Sequence, residues 1–158
     1  MIFIVLFAAI IFGCAACASA PPSSAMDMPD TAQEIQTEEN TMPNIKIQVG
    51  DISFTAVLYD NASAHELLEK LPLTLDMADL NGNEKYCFFS DSLSDSGERV
   101  SNINAGDLML YGSDCLVLFY ESFSTSYRYT KLGYIENVTG LAEALGYGNV
   151  QMIFSVQQ

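Results

Sequence analysis

The chain has no tryptophan, one histidine, and six lysine and arginine residues against twenty acids. Each shortage excludes something. A formal net charge of −14 removes the basic footprint that nucleic acid requires. It also removes electrostatic adhesion to anionic lipid. The single histidine, His65, leaves a metal site or a histidine-dependent triad without evident partners, and at a predicted helix start it reads as solvent-facing. No Lys or Arg precedes Lys46, so positive charge before that point comes from the α-amino group alone. The segment Asn81-Gly82-Asn83-Glu84-Lys85 lacks the carboxylate spacing of a calcium loop and reads as a hairpin turn. No metal, cofactor or catalytic set is predicted.

What is present begins with an unbroken apolar run, residues 2–12 (IFIVLFAAIIF). It is too short to span a bilayer and suits the h-region of a signal peptide. Gly13, Cys14, Ala15, Ala16 and Cys17 follow and resemble the lipobox of bacterial lipoproteins. Residues 1–17 are expected to be a signal peptide with a lipobox. Cys14 is the favoured lipidation point and Cys17 the alternative; an ordinary secretory signal cut after Ala18 or Ala20 is the other reading. Acyl chains burying CH₂ groups at about 0.8 kcal/mol each give stable anchoring. The expected location is the extracytoplasmic face of a bacterial cell envelope, with the membrane held through the N-terminal lipid. Residues 18–43 carry four prolines, five acids and no base. Such a segment cannot offset its ordering entropy by burial and is expected to be a disordered stalk reaching roughly 25–30 Å.

Residues 44–158 form the predicted domain. Ile45-Lys46-Ile47-Gln48-Val49 alternates with period two, as a half-buried strand does. Residues 52–59 and 73–79 read as further strands. Between them Asn61 or Ser63 can cap a short helix, with Ser63-x-x-Glu66 matching a capping box and Pro72 ending it. Asn81-Gly82 is a tight-turn signal. Residues 86–89 form a strand and 90–104 a polar loop. Residues 108–111 and 115–120 are apolar on both faces, so both faces should be covered. Residues 127–135 and 149–156 complete the strands. A second short helix is predicted over 138–145, capped by Asn137 and ended by Gly146 in αL geometry. About eight strands, two short helices and no long crossover describe a mainly β, closed antiparallel barrel.

Five blocks carry a resemblance: Leu58-Tyr59-Asp60-Asn61, Leu71 to Tyr86, Gly106 to Tyr120, Ser122 to Gly133, and Gly146-Tyr147-Gly148. Together they resemble the bacterial cyclophilin-like family over about residues 45–156. The resemblance implies a cyclophilin-type eight-stranded barrel. Prolyl isomerases of that barrel use Arg beside Phe, Gln, Trp and His; with no Trp, one His, and only Arg99 and Arg128, that set cannot be placed on this chain.

The residues most suggestive of a site are Tyr86, Tyr111, Ser113, Ser124, Ser126, Tyr127, Tyr129 and Lys131. Rings supply contact area and hydroxyls supply orientation in a ligand pocket. The Ser122–Ser126 loop would lie at a barrel mouth, with Lys131 and Glu84 as a charged pair inside it. The bland alternative is tyrosines packing the wall and serines making turns. Cys87 and Cys115 are either a disulfide, worth roughly 3 kcal/mol by loop entropy, or two buried thiols. The favoured expectation is a tethered binding module for an unidentified small molecule or peptide. The alternatives are a prolyl isomerase acting on exported proteins, whose slow step such an enzyme would serve, and a structural or assembly lipoprotein.

Overall fold

The computed structural model describes residues 42–157. The signal-peptide and lipobox residues, and all of the stalk except Met42 and Pro43, lie outside the described residues. Met42 is buried in the barrel core. None of the described helices is long and apolar enough to cross a membrane.

The strands are β1 (Ile45–Val49), β2 (Ile52–Leu58), β3 (Leu73–Leu80), β4 (Glu84–Phe88), β5 (Glu98–Arg99), β6 (Asn102–Ile103), β7 (Asp107–Tyr111), β8 (Cys115–Phe119), β9 (Phe123–Ser124), β10 (Arg128–Ile135) and β11 (Val150–Val156). The helices are α1 (Ala62–Glu69) and α2 (Leu141–Leu145). Around the barrel the order is β2-β1-β11-β3-β4-β8-β7-β10, and pairing of β10 with β2 closes the ring. Every pairing is antiparallel. The fold is therefore the closed eight-stranded barrel with two helices that the alternation and turn signals predict.

Period two sets the interior. Ile45, Ile47, Phe54, Ala56, Met77, Leu108, Leu110, Leu116, Leu118, Leu132, Met152 and Phe154 form one core. Ala64 and Leu67 of α1 and Leu141 and Leu145 of α2 join it. The alternate residues of the most apolar strands point the other way. Met109, Cys115, Val117, Phe119 and Tyr129 form a second cluster with Val100 and Ile103. These two come from the predicted polar loop 90–104, which contributes β5 and β6. β5 pairs with β10 and β6 pairs with β9, and the excursion lays apolar residues over the outer wall. That is why all five residues of β8 are buried.

Asn81 (φ 55°) and Gly82 (φ 68°) are the central residues of the turn from β3 to β4, in which Asn83 N–H donates to the Leu80 carbonyl at 3.2 Å and Leu80 pairs with Glu84. The helix ends match expectation only in part. Asn61 caps α1, its Oδ1 accepting from Ala64 N–H at 3.0 Å. Ser63 and Glu66 make no capping box: both bond Ser94, the Ser63 hydroxyl donating to its carbonyl and Glu66 accepting from its N–H and hydroxyl. They tie the helix to the long loop instead. The second helix is shorter than predicted. Asn137 Oδ1 accepts from Thr139 N–H at 3.0 Å, which makes a local turn, and helical geometry starts only after Gly140. Gly146 has φ 54° but ψ −170°, so it ends the helix outside αL geometry.

Candidate ligand pocket on the barrel wall

The outward residues of neighbouring strands meet in one place. On β4 these are Glu84, Tyr86 and Phe88, which stand opposite Phe119, Val117 and Cys115 of β8. β7 adds Tyr111, opposite Cys115. Tyr129 comes from the start of β10, Tyr127 from just before it, and Phe123 from β9. The result is a pocket of 420 Å³ lined by these residues, without Phe119, and by Leu80, Asn81 and Asn83 of the hairpin turn. That volume lies within the range of small-molecule sites.

Aromatic contacts build its walls. Tyr111 lies 6.2 Å from Tyr127, edge on, and 5.6 Å from Tyr129. Phe119 lies beneath, 5.5 Å from Tyr129 and 5.7 Å from Phe123. Tyr86 and Phe88 meet edge to face at 5.9 Å. Phe88 and Tyr127 are each 61% exposed and Tyr111 is 47% exposed. Clustered exposed rings of this kind mark interaction sites more than isolated ones do.

The electrostatics of the pocket are simple. Glu84 is its sole acidic or basic residue, and burial raises its pKa above the ordinary carboxylate value. Its side chain has no hydrogen-bond or ion-pair partner among the described residues. Tyr129 is pushed up to about 12, by burial first and then by the Glu84 charge. Burial, with Asp114 and Glu84, pushes Cys115 up to about 11, so its thiol stays protonated at neutral pH and is no thiolate nucleophile. Asn83 Oδ1 is buried without a partner among the described residues.

The structure brings together four of the predicted residues, Tyr86, Tyr111, Tyr127 and Tyr129. It places the others elsewhere. The Ser113 hydroxyl bonds Ser92 at 3.3 Å, and the Ser124 hydroxyl donates to Asn102 Oδ1 at 3.1 Å. Ser126 is exposed outside the pocket. Lys131 pairs with Glu98 at 3.3 Å, not with Glu84. The pocket lies on the outer wall rather than at a barrel mouth, because the tyrosines share the outward register. Cys87 and Cys115 are free thiols. They sit in adjacent registers of neighbouring strands, and Cys87 packs against the inner core while Cys115 belongs to the outer cluster. Opposite faces of one sheet cannot be bridged without moving backbone. His65 is on the exposed part of α1, paired with Asp60 at 2.8 Å. The described residues contain no metal-binding cluster of His, Cys, Asp or Glu. Neither Arg99 nor Arg128 lines the pocket; Arg128 donates to the Gly97 carbonyl.

Sequence reasoning missed Phe88, Cys115, Val117 and Phe123, and it placed Glu84 at a barrel mouth with Lys131 rather than among the rings. A signal was present: Glu84, Tyr86 and Phe88 alternate on one strand face. Their convergence with Cys115 and Val117 needed the β4–β8 pairing, which no local pattern reports.

A small closed antiparallel barrel with two short helices defines the class of protein. Within that class the chain belongs to the cyclophilin-like family, whose family model matches residues 47–155. The barrel is similar to the solution structure of the hypothetical protein AF2241 from Archaeoglobus fulgidus. The two are 15% identical, with a TM-score of 0.58 over 77% of this chain and 99% of that one; this likeness concerns the fold. No curated protein matches the chain.

Proposed function

We propose that this protein is a binding module, and that the outer-wall pocket holds a small molecule or a short peptide segment. The observation that carries the reading is the gathering of exposed rings, Phe88, Tyr111 and Tyr127, around a concave site. A barrel that needed these rings only for its own packing would bury them. Rigid aromatic anchors of this type carry much of the energy at binding sites.

The module is tethered to the extracytoplasmic face of a bacterial cell envelope by lipid on Cys14, with Cys17 as the second candidate. The apolar run 2–12 followed by Gly13-Cys14 supports this part. Cys14→Ala is expected to shift the protein from the membrane to the soluble fraction. Retention of the variant in the membrane, with Cys17 also replaced, overturns the tether.

The binding test uses the full chain, incubated with cell lysate and culture extract and weighed by native mass spectrometry. Reproducible extra mass is expected. Tyr127→Ala is expected to weaken the bound species about tenfold or more, within the range for an aromatic anchor. Tyr127 suits this purpose because it is mostly exposed, whereas Tyr129 is buried in the second cluster and its loss would disturb packing. A bare mass in every extract, or binding indifferent to Tyr127→Ala, overturns the pocket assignment.

A further inference from the structure

Glu84 is the one acidic or basic residue of a pocket walled by aromatic, apolar and amide side chains, and the bases of the domain leave it alone. The neighbouring Lys85 faces inward to Asp79, Lys131 is held by Glu98, and Lys70 by Asp91. Arg99 and Arg128 do not line the site. A half-buried carboxylate without a partner costs stability, and groups that cost stability are retained where function uses them. The negative potential is felt by its neighbours: it helps hold Tyr129 and Cys115 protonated.

An anionic ligand would meet this charge head on. A neutral ligand can donate a hydrogen bond to the carboxylate but leaves its charge unpaired. A cation does neither. It completes the ion pair, and it is attracted by the faces of the tyrosine rings. N–H donors suit it further, since no described residue donates to the Glu84 carboxylate, which lines the pocket. The net charge of −14 adds long-range attraction for cations.

We propose that the pocket binds a small organic cation bearing N–H groups, its nitrogen paired with Glu84 and its apolar body laid against Tyr86, Tyr111, Tyr127 and Tyr129. This rests on reading the pocket as the binding site. The volume of 420 Å³ suits a small molecule, and the proposal commits to that source.

The test titrates the isotope-labelled full chain with 2-phenylethylammonium and with its neutral isostere 2-phenylethanol, following backbone amide shifts. The ammonium is expected to shift Glu84, Tyr111 and Tyr129 saturably, about tenfold tighter than the alcohol. Glu84→Gln keeps size and shape and removes only the charge, and its spectrum reports whether the fold is intact. In that variant the preference is expected to fall to less than about twofold. Equal affinity for the two probes, or an unchanged preference in Glu84→Gln, overturns the proposal. So does tighter binding of a blocked lysine peptide, which would assign the same chemistry to a peptide side chain. If neither probe binds while extracts still yield bound mass, the cation class is wrong and the pocket reading stands. If the extracts also leave a bare mass, both fall.

Discussion

Lys85→Met is expected to destabilise the barrel by about 3 kcal/mol or more, a drop of roughly 10 °C in melting temperature for a domain of this size. Lys85 is 0% exposed, which a lysine tolerates only when its ammonium is fully satisfied. All three of its donors are used. They go to Asp79 Oδ2 at 2.6 Å, to the Gly146 carbonyl at 2.8 Å and to the Gly148 carbonyl at 2.6 Å. The ammonium also stands 5.3 Å from the centre of the Tyr120 ring. Asp79 in turn accepts from the Tyr120 hydroxyl at 2.7 Å and from Gly82 N–H at 3.1 Å. One charge thus ties the β3–β4 hairpin to the end of α2. Met has a similar length and no donors, so it leaves the two carbonyls without their ammonium donor and the Asp79 carboxylate without its ion pair. Thermal melts of the two proteins at neutral pH check the size of the loss; a change within error sinks the assignment.

The same clasp predicts an acid limb. Lys85 first, and then Tyr120, hold the Asp79 carboxyl below its ordinary value. A depressed folded pKa means the unfolded chain takes up protons first as pH falls. The contribution is therefore present above the ordinary aspartate value, about 3.9, and is lost as pH drops through the lower folded value. Lys85→Met is expected to flatten that part of the stability–pH curve. Tyr120, whose pKa is raised by burial and then by Asp79, stays a hydrogen-bond donor throughout this window.

Lys85 also shows where sequence reading stops. Beside Asn81-Gly82 it looks like a solvated base at the foot of a hairpin. Two of its partners are backbone carbonyls 61 and 63 residues away, and nothing in a local pattern reports a carbonyl. The fold was legible because its signals are local: period-two alternation at Ile45–Val49, the Asn81-Gly82 turn, and doubly apolar strands at 108–111 and 115–120. The tyrosines of the pocket were legible for the same reason. Ser113, Ser124 and Lys131 were misplaced because hydroxyls and amines are satisfied by whatever lies nearest, and their nearest partners are Ser92, Asn102 and Glu98. Glu84 was read as the partner of Lys131, which Glu98 holds instead; only the pairing of β4 with β8 puts it among rings.

Closure of the barrel rests on a narrower feature, and it carries the second large effect. β10 meets β2 over three residue pairs, Gly133–Leu58, Tyr134–Val57 and Ile135–Ala56. Just before them the β10–β7 register shifts between Lys131 and Gly133. A methyl group on Gly133 would stand 2.3 Å from the Val57 carbonyl oxygen and 3.1 Å from Leu58 Cα. Both are backbone atoms, so no side chain can turn aside. Gly133→Ala must push the two strands apart at the seam, and a loss of about 3 kcal/mol is expected, the upper end for overpacking. Gly82→Ala is the control. A methyl group there meets nothing within 4 Å and suffers only from φ +68°, for about 1 kcal/mol. Urea unfolding ranks the two, and a Gly133→Ala loss no larger than that of Gly82→Ala sinks the steric argument. Hydrogen exchange gives the location: amides of β2 and the C-terminal half of β10 should exchange faster. Tyr127 and Tyr129 lie just before β10 and near its start, on the outward register, away from the seam. Pocket binding measured well below the unfolding midpoint should therefore survive Gly133→Ala, since a shared loss would mean that closing the ring also shapes the pocket.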